Sequence, residues 1–291
     1  MINNLPQVRG TYRQNAELKI WFDVGGAAEV LFRPADLEDL QYFLQNLLKD
    51  IPVNILGAGS NVIVADEGVK GVVIRLGGEF AKISVEGDFI RAGAAALCGN
   101  VATFSKNSGL AGLEFFSGIP GSIGGAIAMN GGCYGSDVAT TLVSAKAIDL
   151  AGNIVELQNS DFGFFYRGNQ IAKKFFFVEG LFKCQKSTPE IVGKKISELS
   201  EQRQNAQPIR AKTGGSTFKN PAQKRAWELI DEAGCRGMVV GDAEMSQKHC
   251  NFMINRGNAT ASDLINLGDK VKKMVQEKSG INLEWEIKIL K

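Results

Sequence analysis

A chain of 291 residues, 44% hydrophobic and 22% charged, is long enough for two domains with sizeable cores and carries no signature of disorder. Its 33 basic and 31 acidic residues leave a formal charge of +2 without long blocks of either sign, which argues against a nucleic-acid or membrane footprint and for small-ligand partners. Five cysteines without a CxxC pair and one histidine, His249, argue against a disulfide framework, a metal site and most triad chemistry.

No apolar run approaches the roughly 18 residues of a transmembrane helix. Met1-Ile2-Asn3-Asn4 lacks the basic and apolar regions of a signal peptide, so a cytoplasmic protein is expected. Residues 36–49 follow Pro34 and space Leu37, Leu40, Phe43, Leu44, Leu47 and Leu48 as one face of an amphipathic helix. Short strands are predicted at 53–56, 62–64, 72–74 and 83–85, parted by glycine turns, with a hairpin tip at Glu86-Gly87-Asp88. A helix over 97–107, stopped by Gly109, interrupts them. Strands return at 142–149, 154–157 and 175–182, which gives a mixed sheet and not regular βαβ units. Thr188-Pro189 reads as the cap and first residue of a helix over 190–204 that could join two domains. Beyond Pro208 come a Gly-Gly turn, a helix at 225–233, a strand at 252–254, a helix from Thr260 or Ser262 to 277, and a last strand. The pattern is α+β, with domains at 1–187 and 188–291.

Glycine is the informative excess: 34 residues, about 12% against a usual value of roughly 7%, clustered at 57–71, 109–135 and 214–215. Gly57-Ala58-Gly59-Ser60-Asn61 lies between two predicted strands. Val62 takes the third glycine position of a dinucleotide fingerprint and a strand follows where a helix is needed, so a Rossmann site is not expected. Consecutive backbone N–H groups and the Ser60 hydroxyl can still form an anion nest for a pyrophosphate. An ordinary hairpin turn is the other reading of the same five residues. The second stretch crowds small residues around Pro120 and is flanked by Phe115, Phe116 and Tyr134. It predicts extended backbone close to a flat ligand; a plain glycine-rich loop is the alternative, at a large cost in backbone entropy.

Three further segments carry candidate chemistry. Gly214-Gly215-Ser216-Thr217-Phe218-Lys219-Asn220-Pro221 reads alone as a turn, and Phe165-Tyr166-Arg167-Gly168-Asn169 reads alone as a solvated surface arginine. Residues 283–289 alternate as an edge strand, with Leu283, Trp285, Ile287 and Ile289 on one face and Glu284, Glu286 and Lys288 on the other.

Taken together, the GAGSN segment, the stretch GLEFFSGIPGSIGGAIAMNGGCYG and Thr11 with Trp21-Phe22-Asp23-Val24-Gly25-Gly26 strongly resemble the UDP-N-acetylenolpyruvoylglucosamine reductases, over about residues 22–289. The resemblance implies an FAD-binding fold of the vanillyl-alcohol-oxidase type followed by a smaller α+β substrate-binding domain. It implies non-covalent FAD, NADPH as electron donor, a UDP-sugar enolpyruvyl ether as substrate, and a place in peptidoglycan-precursor synthesis. By the same resemblance FAD is held by Gly57, Ala58, Gly59, Ser60 and Asn61, and by Ile119, Pro120, Gly121, Ser122, Gly124, Gly125, Ala126 and Asn130. Neither stretch contains a histidine that could bond covalently to flavin, and Cys133 is the one nucleophile nearby. Ser216 is implied as proton donor with Arg167 and Glu286 as its catalytic partners, and Tyr134, Tyr166, Lys219 and Asn220 as substrate contacts. No obligatory protein partner is implied.

Two positions depart from the family pattern: Asn169 stands where a serine is usual in Y-R-x-S, and Cys250 where alanine is common in S-x-K-H-A-N-F. His249 receives no chemical role. The alternatives are another FAD oxidoreductase of the same fold, an alcohol or lactone oxidase, or a non-catalytic flavin-binding protein. The joint presence of Arg167, Ser216 and Glu286 argues against the first.

Overall fold

The structure is a computed structural model that describes residues 5–291; the reading of Met1 to Asn4 lies outside the described residues. The chain forms two compact units and passes between them several times. The first comprises Val30–Ala58 and Gly71–Glu201 with the segment ending at Asn15; the second comprises Ala16–Glu29, Gly59–Lys70 and Gln202–Lys291.

In the first unit, the helix Leu37–Asn46 starts where the Asp36 carboxylate accepts the Asp39 N–H at 2.9 Å. Its apolar stripe, Leu40, Phe43 and Leu44, is buried together with Val30, Phe32, Val72 and Ile74. The sheet beneath orders its strands Thr11–Glu17, Ala27–Arg33, Val69–Ile74 and Val53–Ile55, the last two parallel in the register Val53 to Val72. The strands Thr11–Glu17 and Ala27–Arg33 carry no clear alternation and were not expected from the sequence.

A second sheet of this unit is antiparallel throughout, in the order Ile154–Gln158, Leu142–Asp149, Phe175–Lys183, Phe89–Gly93, Ile83–Glu86. The predicted hairpin tip at Gly87 is present, with Glu86 paired to Phe89 and φ of 63° at Gly87. Against this sheet pack the helices Cys98–Asn107 and Ile123–Ala128, in a core that includes Ile90, Val101, Phe116, Ile127, Phe177 and Phe182. Gly180 permits the approach: a Cβ there would lie 2.9 Å from Ile127 Cδ1 and from the Phe182 ring.

The glycine-rich stretch corrects one expectation. It is not extended throughout: Glu114–Gly118 is a 3₁₀ turn and Ile123–Ala128 an α-helix. Two glycines weaken the intrinsic helical preference of Ile123–Ala128, but burial of Ile123, Ala126 and Ile127 outweighs it.

In the second unit, Val62–Val64 pairs in parallel with Lys288–Leu290, and Val239–Val240, Ala243–Met245 and Met253–Asn255 form a small antiparallel sheet. The helix Ala261–Ser279 opens on a Thr260/Asp263 capping box and closes at Gly280 with φ of 72°. Asp66 adds acceptors for the N–H groups of Ala261 and Ser262, at 2.8 and 2.9 Å. Trp285 lies flush on this helix, since a Cβ at Gly268 would stand 2.0 Å from its ring.

The last predicted strand is shorter than expected. Only Lys288–Leu290 is strand, and Ile289, expected on the buried face, is 37% exposed. Residues 283–286 instead run beside 217–219: Glu286 N–H donates to Thr217 O at 2.8 Å, and Lys219 N–H to Glu284 O at 2.9 Å. Among the described residues no helix is long and apolar enough to cross a membrane, and no cluster of His, Cys, Asp or Glu could hold a metal ion.

Candidate active site

In the first unit the two glycine motifs meet. Residues 121–124 lie along 94–98 through Cys98 N–H to Gly121 O, Ile123 N–H to Ala96 O and Gly124 N–H to Ala94 O, each 2.9 Å. Gly57 faces the same place, since a Cβ on it would lie 2.6 Å from Ser122 Oγ. Gly124 is tight for the same reason, its Cβ position being 2.9 Å from the Ala94 methyl. Ser122 precedes the helix Ile123–Ala128, yet its hydroxyl does not cap it; that Oγ is buried and has no hydrogen-bond partner among the described residues. A buried hydroxyl without a partner costs stability unless something fills the role, which marks the spot for a polar ligand atom. The residues present therefore fit the FAD that the sequence implies: a side-chain-free cradle at Gly57 and Gly125 with Ser122 Oγ available.

Arg167 sits beside this stretch on a tight turn. Phe165 and Gly168 exchange backbone hydrogen bonds at 3.0 and 3.1 Å, which places Tyr166 and Arg167 at the tip. The guanidinium donates to Gly132 O at 2.9 Å and lies 5.1 Å from the centre of the Tyr166 ring. Asn130, Tyr134 and Arg167 have φ of 44°, 53° and 61°, a left-handed conformation uncommon outside glycine. Three candidate residues share this strained backbone within one unit, a pattern associated with functional sites.

Asn130 is 5% exposed, and its amide is engaged by protein: Oδ1 accepts Ala139 N–H at 2.9 Å, while Nδ2 donates to Phe165 O at 3.2 Å. It therefore joins the glycine stretch to the arginine turn. Sequence reasoning gave no role to Asn169, which is buried and donates through Nδ2 to Ile127 O and Ala128 O at 3.0 and 3.1 Å. It thus satisfies the last carbonyls of the helix Ile123–Ala128. Only its departure from the family serine signalled it.

In the second unit the segment 217–219, which follows Ser216, pairs with 284–286, the segment that carries Glu286. Ser216 is half-buried, bridges to Phe252, and its hydroxyl engages no other described residue. Asn251 fixes the adjoining backbone through Phe218 N–H to Oδ1 at 3.0 Å and Nδ2 to Phe218 O at 2.9 Å. Asn61, the last residue of the first glycine motif, donates from Nδ2 to Glu286 O at 3.0 Å and accepts Lys288 N–H on its own carbonyl at 3.0 Å. Gly59 has φ of 73° and packs on Ile20, since a Cβ on it would lie 2.9 Å from the Ile20 Cγ2 methyl.

The two glutamates at the chain end differ sharply. Glu284 is 74% exposed and pairs with Lys219 at 3.3 Å, whereas Glu286 Oε2 is buried. Asn220 Oδ1 accepts Ala226 N–H at 3.0 Å. His249 accepts Asn251 N–H on Nδ1 at 3.4 Å and meets the Phe252 ring edge-on. Burial, followed by the charge of Arg236, holds its imidazole below the usual histidine range.

A glycine-lined cradle with an available buried hydroxyl fits a flavin-binding oxidoreductase. Residues 28–158 match the family described as FAD binding domain, and residues 207–290 match UDP-N-acetylenolpyruvoylglucosamine reductase, C-terminal domain. The chain is 48% identical to the UDP-N-acetylenolpyruvoylglucosamine reductase of Wolbachia pipientis wMel, over 100% of this chain and 99% of that one. It is 50% identical to the reductase of Parvibaculum lavamentivorans, over 99% and 94%. The crystal structure of the reductase from Thermus caldophilus superposes with a TM-score of 0.83 at 32% identity, covering 98% of this chain and 100% of that one. The chain belongs to the UDP-N-acetylenolpyruvoylglucosamine reductase family. Its fold is an FAD-binding domain followed by a smaller α+β C-terminal part, and it is an FAD-containing oxidoreductase.

Proposed function

We propose that this chain reduces the enolpyruvyl ether of UDP-N-acetylglucosamine to UDP-N-acetylmuramate with NADPH, in the cytoplasm, as a step of peptidoglycan-precursor synthesis. Residues 1–187 serve the flavin and residues 188–291 the sugar nucleotide. The observation that supports this reading is the pairing of 217–219, the segment that follows Ser216, with 284–286, through Glu286 N–H to Thr217 O at 2.8 Å.

Bound flavin supplies the hydride that reaches the terminal carbon of the enol ether. The remaining chemistry falls to side chains. Negative charge spreads over the neighbouring carbon and the carboxylate, and it is stabilised by donors fixed before the reaction. Arg167 provides a rigid cationic fork, and Glu286 in its acid form donates a hydrogen bond from a buried oxygen. Ser216 then gives its proton to the carbon next to the carboxylate. Lys219 stabilises the alkoxide so formed, and Tyr134, Tyr166 and Asn220 hold the sugar nucleotide. Gly57 to Asn61 and the 119–130 stretch would hold the flavin, with the buried Ser122 Oγ available as a polar partner.

The test separates the two halves of the reaction. Ser216→Ala should bind FAD and accept electrons from NADPH nearly as the unaltered protein does, yet reoxidise with the enolpyruvyl sugar roughly 10²–10⁴-fold more slowly, the usual contribution of a general acid. Full turnover in that variant, or loss of flavin, would reduce Ser216 to a turn residue.

A further inference from the structure

The segment Trp21-Phe22-Asp23 has no part in the chemistry above, yet it lies in the second unit together with Ser216. Phe22 is fully buried and its ring rests on Gly214, where a Cβ would stand 2.3 Å from Phe22 Cε2 and 3.0 Å from Cζ. That close approach accounts for the first glycine of Gly214-Gly215-Ser216, and a φ of 80° accounts for the second. Two successive glycines have more backbone freedom to lose than any other pair, so by themselves they would hold the hydroxyl that follows them loosely. The Phe22 ring closes off that freedom at Gly214. At the next residue, Gly215 N–H donates to Thr213 Oγ1 at 3.3 Å.

Phe22 is itself fixed from behind. The buried Asn255 donates from Nδ2 to Phe22 O at 2.9 Å and to Asp23 O at 3.4 Å, while its Oδ1 accepts the N–H groups of Gly257 at 2.8 Å and Ala259 at 3.0 Å. Asp23, with φ of 56°, pairs with Lys212 Nζ at 2.5 Å, and Lys212 O accepts Asn255 N–H at 2.9 Å. The turn closes through Asp23 N–H to Ile20 O at 3.0 Å, and Trp21 N–H donates to Gly59 O at 3.0 Å. A ring anchored in this way cannot swing clear of Gly214 without leaving buried polar groups unsatisfied, which is costly.

We propose that Phe22 is a positioning residue for the proton step: its ring, seated on Gly214, fixes the turn that presents Ser216. This role presupposes that Ser216 is the proton donor. Because the turn over residues 20–23 also holds Gly59, it ties the first glycine motif to the loop of the proton donor. Misplacing a reacting group by about 1 Å can cost on the order of 10²-fold in rate, so a slackened turn slows proton delivery and leaves sugar binding in place.

The test follows reoxidation of the pre-reduced, FAD-loaded protein by the enolpyruvyl sugar in Phe22→Leu, Ser216→Ala and the double variant. Phe22→Leu should lower the limiting rate roughly tenfold or more, with half-saturating sugar and the rate of flavin reduction by NADPH both within about threefold of the unaltered protein. In the Ser216→Ala background the same substitution should cost no more than about twofold, because there is no proton left to aim. Gly214→Ala disturbs the same contact without removing a core side chain, so the cycle repeated with it decides the question where Phe22→Leu is unstable. Full-rate reoxidation in Ser216→Ala overturns the proton-donor reading and the role of Phe22 with it. A slow Ser216→Ala in which Phe22→Leu still costs its whole factor overturns the role of Phe22 alone. So does a folded Phe22→Leu that reoxidises at the unaltered rate, or one that loses reduction by NADPH to the same extent.

Discussion

Replacing Asn169 tests whether the buried amide, and not the serine usual in the family, is what this chain is built around. Its side chain makes three hydrogen bonds: two donated to Ile127 O and Ala128 O, and one accepted from Ile171 N–H at 3.1 Å. At about 1 kcal/mol net for each bond, with buried carbonyls left unsatisfied, Asn169→Ala should cost roughly 2–4 kcal/mol of stability. Asn169→Ser retains one short donor and should lose about half as much. Asn169→Asp is the sharper probe, because a carboxylate of the same shape turns a donor into a charged acceptor facing two carbonyl oxygens. The folded protein can accommodate it only as the neutral acid, so its folded pKa is raised above the unfolded one. Stability should then be greatest below the unfolded carboxylate range, about pH 4, and fall as pH rises through the raised value. Denaturant midpoints for the three variants across this range, with retained flavin as a second readout, decide the matter. An aspartate variant as stable as the unaltered protein at neutral pH, or an alanine variant within about 0.5 kcal/mol of it, would refute the reasoning.

Three further outcomes follow from single contacts. Gly57→Ala puts a methyl 2.6 Å from Ser122 Oγ, so equilibrium dialysis should show weakened FAD retention with little loss of fold, whereas Gly77→Ala, with open space around it, should be neutral. Glu286→Ala should slow reoxidation of the reduced protein by the enolpyruvyl sugar more than Glu286→Gln does, while Glu284→Gln should chiefly change the KM for substrate, because Glu284 is tied to Lys219; equal losses in kcat at both positions would sink this division. His249 has a folded pKa below 6.5, so the unfolded chain takes up its proton first and stability is lost as pH falls from 6.5 toward the folded value. His249→Gln should flatten that slope between about pH 7.5 and 5.5, and an unchanged drop in denaturant midpoint would show that another group is responsible.

Much of the fold was legible because strong periodicity and punctuation agree. Leu40, Phe43 and Leu44 make the stripe of Leu37–Asn46, and Thr260 with Asp263 announces Ala261–Ser279. The strands Thr11–Glu17 and Ala27–Arg33 were missed for a physical reason. The first is exposed at most of its positions and the second buries Val30, Leu31 and Phe32 in succession, so neither shows the alternation of a half-buried strand. The helix Ile123–Ala128 was missed for another: its glycines argue locally against a helix, and only the sheet that receives Ile123 and Ile127, across the gap left by Gly180, makes helix the better solution.

At the site, the sequence could name residue types but not their surroundings, and the end of the chain shows where that limit falls. Strict alternation over 283–289 puts Glu284 and Glu286 on one face and makes them equivalent. Alternation requires one continuous strand, and here the backbone changes partner midway. Up to Glu286 it follows 217–219; from Lys288 it joins Val62–Val64. The Asn61 amide holds the junction at Glu286 O, and Lys288 N–H returns to Asn61 O. The change of partner separates the two carboxyl groups, one in solvent against Lys219 and the other with an oxygen buried. Asn61 thus does more than the sequence assigned to it: the residue read as a flavin contact also sets the glutamate proposed to act on substrate. Asn61→Ala should therefore impair reoxidation by the sugar as well as flavin affinity, and a defect confined to flavin binding would show that Glu286 keeps its place without it.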